Sequence, residues 1–136
     1  MSATRAVVVA GAVTGFLAVG LGAFGAHALR GRIAADMLEV YRTGTEYQMA
    51  HALAMLAIGA ALDRLPRPGR AAAAAWVMLV GVLLFSGSLY PLALGGARAL
   101  GVVTPVGGVA FLLGWLLLAT SAFAGGRAPR IRRKRR

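Results

Sequence analysis

The chain has no cysteine in its 136 residues. That absence excludes disulfides, thiol nucleophiles, iron–sulfur ligation and c-type haem attachment together, and it leaves the redox compartment open. Acidic residues are scarce, four against 15 Lys and Arg, and there are only two histidines. The charges gather at the ends and in the gaps between apolar runs, so none stands in mid-run. A pump coupled to an ion gradient would lack its usual carrier residue.

Apolar residues are abundant. They make up 59% of the chain, against roughly 45–50% in soluble globular domains, and mean hydropathy is +0.74. One soluble core of this size has no room for so much apolar surface, whereas a bilayer does. The composition therefore predicts a single-domain, all-α integral membrane protein: a four-helix bundle with spans at about 6–26, 46–62, 71–90 and 105–124. Each is close to the ~20 residues that cross a hydrocarbon core.

The first run, Ala6–Ala26, is rich in glycine, and Gly11 and Gly15 form a G-x-x-x-G pair suited to close helix contact. The Ala26–Ala28 A-x-A also fits a cleaved secretory signal with Arg5 as its basic flank. The run exceeds the ~7–15 apolar residues of a signal core, and a retained span is the expectation. Residues 29–42 place Ile33, Met37, Val40 and Tyr41 opposite Arg32, Asp36 and Glu39. This predicts a short amphipathic helix lying at the interface between spans 1 and 2. Gly44 is expected to break it. Thr45 then caps the second span, with Gln48 completing a T-x-x-Q capping box and Glu46 in the first turn. In that span Tyr47, Gln48, His51, Met55 and Ile58 share one face, and Ala50, Ala54, Ala57 and Ala61 form a small-residue strip. Pro66, Pro68 and Gly69 mark a basic turn before the third span, and Pro91 marks a kink or an end after it. Thr104 and Pro105 read as the cap and first residue of the fourth span. The tail 127–136 carries seven basic residues in ten. After a span, such a run reads as a topology signal that attracts anionic lipid, and no nucleic-acid partner is expected.

Four crossings place both termini and the 63–70 turn on one side, with eleven Lys and Arg against four on the other. Both termini are therefore expected in the cytoplasm. The same topology collects His27, Glu46, Tyr47, Gln48, His51, Ser86, Ser88, Tyr90 and Thr104 at the outer end of the bundle. They are the candidate polar cluster.

Three phrases carry a family resemblance: G-A-F-G-A-H-A-L at 22–29, E-Y-Q-M-A-H-A-L at 46–53, and F-S-G-S-L-Y-P-L-A-L with T-P-V-G-G at 85–94 and 104–108. The chain resembles, over about residues 5–125, the small inner-membrane YgdD-like family. That family, the domain of unknown function 423, includes the animal transmembrane protein 256. The resemblance implies a four-span bundle in a bacterial cytoplasmic membrane and implies no activity. Its matching positions are His27, Tyr47, Gln48, His51, Ser86, Gly87, Ser88, Tyr90, Thr104 and Pro105, and the basic tail lies outside it.

The expected function is a non-catalytic structural or lipid-organising membrane protein, with a homo-oligomer as one form. A small-solute or ion conduit is the alternative. A metal or haem protein ligated by His27 and His51 is a weaker third reading, because two isolated histidines lack metal-site spacing. No catalytic residue, metal or cofactor is expected.

Overall fold

The computed structural model describes residues 2–123; the basic tail lies outside them. The fold is all-helical. Helix α1 (Ala3–Phe24) continues as a π-helical turn, Gly25–Leu29. Helix α2 spans Ala35–Ala61, α3 Pro68–Ala93 and α4 Leu100–Ser121. Tight turns join them, and the two that need a left-handed residue have glycine there, Gly31 (φ 75°) and Gly95 (φ 87°). Each helix packs antiparallel on the next, α1 on α2, α2 on α3 and α3 on α4.

Three segments are long and apolar enough to cross a membrane: Ala3–Leu29, Pro68–Ala93 and Leu100–Ser121. Their exteriors match that reading, with Phe16 78% and Leu112 71% exposed. Helix α2 is as long, 27 residues, or about 40 Å at 1.5 Å per residue. Asp36, Glu39, Arg42 and Glu46 in its first half lower its apolar character.

Helix α2 corrects the expected break. The amphipathic segment and the second apolar run form one unbroken helix through Gly44. Thr45 caps nothing: its hydroxyl donates back to the carbonyl of Arg42 at 2.8 Å. Gly44 is there for packing, because a Cβ on it would stand 2.9 Å from the Tyr90 ring and 3.5 Å from Leu89. The expected alanine strip is divided, with Ala54 partly buried against the core and Ala61 half-buried. The buried face of α2 is Leu38, Tyr41, Gly44, Gln48, His51, Ala52, Met55, Ile58 and Gly59, while Ala50 and Ala57 are exposed. Gln48 and His51 find their partners within the protein, and turning them inward turns Ala50 and Ala57 out.

Helix ends differ from expectation by about a turn. Helix α3 begins at Pro68, a residue suited to a first helical position, and continues two residues past Pro91. Helix α4 begins at Leu100, so Thr104 lies inside it and is not its cap. The core at one end of the bundle is Val7, Met55, Ile58, Leu62, Ala71, Ala74, Ala75 and Met78.

Glycines set the helix spacing. Gly11 lies tight against Leu56 and Ala52, and Gly15 in ordinary contact with Ala52, so both glycines of the G-x-x-x-G pair face α2 of the same chain. Gly107 lies against the backbone of Phe85, and Gly81 under the Phe111 ring. A side chain at 107 meets backbone that has no freedom to move aside. Gly107→Ala is expected to lower stability by about 1–3 kcal/mol through overpacking. Gly20→Ala, where no atom lies within 4 Å, is expected to be neutral or to add up to about 1 kcal/mol from helix propensity. Unfolding in mixed micelles followed by far-UV circular dichroism would separate the two.

Candidate functional site

The structure divides the candidate cluster into three groups and leaves two residues apart from all of them. His27 is exposed on the π-helical turn, and Glu46 is exposed on the outer side of α2. Glu46 borders a shallow groove with Ala18, Gly22 and Met49. Neither joins the other polar residues.

The first group ties α1, α2 and α3 together at Gln48, which is 4% exposed. A backbone carbonyl can only accept, so the amide nitrogen of Gln48 faces Thr14 and donates to its carbonyl at 3.0 Å. The amide oxygen of Gln48 accepts the Tyr90 hydroxyl at 2.7 Å. Beside it, Ser86 donates to the Gly44 carbonyl at 2.7 Å, where the missing Cβ of Gly44 leaves room for Tyr90 and Leu89 of the same helix. Thr14 lies near the middle of α1, so Gln48 stands well inside the bundle and not at its end. The Thr14 hydroxyl is engaged locally, donating to the Ala10 carbonyl at 2.8 Å.

The second group joins α2 to α4. His51 Nδ1 lies 2.7 Å from the Tyr47 carbonyl and therefore carries the proton. The indole N–H of Trp115, which only donates, reaches His51 Nε2 at 3.2 Å. The imidazole is thereby held neutral as one tautomer with both nitrogens engaged. Phe111 stacks on it, with ring centroids 3.6 Å apart and 11° between planes. The half-exposed Tyr47 ring completes the layer, 4.6 Å from Phe85 and 5.9 Å from Phe111.

Ser88 and Thr104 form a separate clasp between α3 and α4, 2.7 Å apart. Ser88 lies 2.9 Å from the Phe85 carbonyl and Thr104 3.5 Å from that of Leu100. The two short contacts are both used when Ser88 donates to Phe85 and Thr104 donates to Ser88.

Sequence reading missed the partners. Thr14 contributes a backbone carbonyl, which no residue type announces. Trp115 had a usable signal: an indole well inside an apolar span needs an acceptor, and the imidazole of His51 is one. Among the described residues no three His, Cys, Asp or Glu side chains come together as a metal site. Every buried side-chain nitrogen and oxygen among them has a hydrogen-bond partner.

The first two groups each give a stability prediction. Trp115→Phe keeps the packing and leaves His51 Nε2 unpaired; a loss of about 1–3 kcal/mol is expected. A double-mutant cycle over Gln48→Leu and Tyr90→Phe should give a coupling energy of about 0.6–1.7 kcal/mol, the span found for hydrogen bonds between membrane helices. Equilibrium unfolding in bicelles reads both, and additive single mutants would show that the Tyr90–Gln48 bond contributes nothing.

Comparison with known proteins agrees with this architecture. Residues 21–108 match the family described as "Protein of unknown function (DUF423)". The chain is 44% identical over 115 residues to the "UPF0382 membrane protein YwdK" of Bacillus subtilis (strain 168), a match covering 85% of this chain and 94% of that protein. It is 44% identical over 112 residues to a "UPF0382 membrane protein" of Haemophilus influenzae, covering 82% and 89%. A Staphylococcus aureus relative, "UPF0382 membrane protein SAB0533", is 44% identical over 120 residues, covering 87% and 97%. No solved structure matches the chain. By the residues matched and the length shared, the chain is a membrane protein belonging to the DUF423 family.

Proposed function

We propose that the protein is a non-catalytic, four-crossing component of the bacterial cytoplasmic membrane that organises the lipid around it. The observation that carries this reading is where the polar groups go. Every buried side-chain nitrogen and oxygen among the described residues has at least one hydrogen-bond partner in the protein, and those of Gln48, Ser86 and His51 join helices, which suits a medium without water. The surfaces left over are apolar clefts between helices, one between α1 and α3 and one between α2 and α4.

In this reading α2 is the fourth crossing, since it runs beside α1 and α3 along its length. Its first turns, with Asp36, Glu39 and Arg42 exposed and Arg42 paired to Glu39 at 2.8 Å, lie at headgroup depth and serve as the interfacial segment. The basic side of the molecule, with Arg5, Arg64, Arg67, Arg70 and the tail, faces the cytoplasm and its anionic lipids. A homo-oligomer is compatible with the apolar outer faces of α1 and α4.

A conduit would need a polar lining through the bundle, whereas the lining of both clefts is almost wholly apolar. The natural lack of cysteine makes the topology directly measurable. Single cysteines placed at Arg67 and Ala128 should react with a membrane-impermeant maleimide only from the cytoplasmic side, and those at Arg32 and Ala97 only from the opposite side. Opposite labelling of positions 32 and 67 is the decisive pair, because α2 alone lies between them; equal labelling from one side would overturn the fourth crossing. Proteoliposomes should pass ions and small solutes no faster than empty vesicles, and selective flux would favour the conduit.

A further inference from the structure

We propose that the cleft between α1 and α3 is a binding site for a membrane-soluble carbonyl compound of the isoprenoid quinone class, recognised by an N–H of Gln48. The proposal rests on the preceding reading in one respect, that α1 and α3 lie in the bilayer.

Helices α1 and α3 touch only sparingly, and the gap between them forms a cleft of about 450 Å³, within the roughly 300–1,000 Å³ of small-molecule sites. Val13 and Leu17 form one wall, Leu83 and Gly87 the other, and Gln48 of α2 lies between them. No Asp, Glu, Lys, Arg or His lines it, so it offers nothing to an ion or a charged headgroup.

Gln48 supplies the recognition. Its amide has two N–H groups and an oxygen with two lone pairs. One N–H goes to the Thr14 carbonyl, and the oxygen accepts from Tyr90. The second N–H has no acceptor among the described residues, in a side chain that is almost fully buried and borders the cleft. In hydrocarbon such a donor favours a ligand oxygen that only accepts.

Depth narrows the choice. Gln48 is level with Thr14, near the middle of α1. Phospholipid headgroups and their ester carbonyls stay at the bilayer surface, far from this level. A quinone ring resides in the hydrocarbon, presents carbonyl acceptors without charge, and carries an apolar isoprenoid chain that suits the walls of the cleft.

Nanodiscs containing the full chain would be loaded with menaquinone-4, and bound quinone measured by native mass spectrometry and by extraction against empty discs. One menaquinone-4 per protein is expected, undisplaced by an equal concentration of squalene, an isoprenoid without a carbonyl. Gln48→Leu should weaken binding about tenfold, the loss of one hydrogen bond of ~1.4 kcal/mol. Gly87→Leu should abolish it by filling the cleft. A Cβ there has no atom within 4 Å, so the side chain starts into open space, and far-UV circular dichroism checks that this variant is folded where Gln48→Leu fails to assemble. Quinone retention equal to that of empty discs would overturn the proposal, as would displacement by squalene or full binding to Gly87→Leu. Maleimide labelling in the same discs separates the two readings. Correct topology without binding removes the site alone, and failed topology removes the membrane reading beneath it.

Discussion

The bundle depends on hydrogen bonds made inside an apolar core. A polar group there has to find its partner within the protein, and the amide of Gln48 does so on two other helices at once. Through the Thr14 carbonyl it holds α1, and through the Tyr90 hydroxyl it holds α3. Van der Waals contact between apolar helices in lipid is weakly directional, because lipid tails compete with the side chains for the same contacts. Hydrogen bonds have a direction. With His51–Trp115 joining α2 to α4, α2 makes directional bonds to all three of the other helices.

Glycine makes those bonds possible. Ser86 reaches the carbonyl of Gly44, and the Tyr90 ring lies over the same residue, where a Cβ would crowd it. On the far side, Gly107 and Gly81 let α4 approach Phe85 and receive Phe111. Phe111 is then held against α3 and stacks on His51. Close backbone approach and polar satisfaction are therefore one arrangement. The contact between α1 and α3 lacks this combination, and a cleft is left there with Gln48 at its base.

Some of the site could be read from residue types. The spacing of Tyr47, Gln48, His51, Met55 and Ile58 placed them on one face of α2, of which the last four are buried and Tyr47 is half-exposed. Polar residues near the ends of apolar runs pointed to Ser86, Ser88, Tyr90 and Thr104, and these do form bonds between helices. The errors lay where one residue type serves two purposes. Gly44 suits a helix break as well as a helix contact, and Thr45 suits a cap as well as a back-bond to Arg42. Local sequence does not separate those alternatives, because the deciding group, the Tyr90 ring, lies on another helix. His27 and Glu46 were grouped with the cluster because the expected topology put their span ends on one side, and the exposed faces they occupy keep them apart from it.

The sequence by itself determined the helical class, the apolar stretches and the family, since these follow from hydrophobic run length and from phrases shared along most of the chain. It also determined that the chain has no thiol chemistry. Tertiary structure alone decided that α2 is a single helix, that Gln48 is bonded near the middle of α1, and that His51 is locked between Tyr47 and Trp115. The physical reason is that a run of apolar residues specifies burial without specifying a partner. Partners are chosen when helices come close enough for a backbone carbonyl, an indole N–H or a ring face to meet a group distant in the chain.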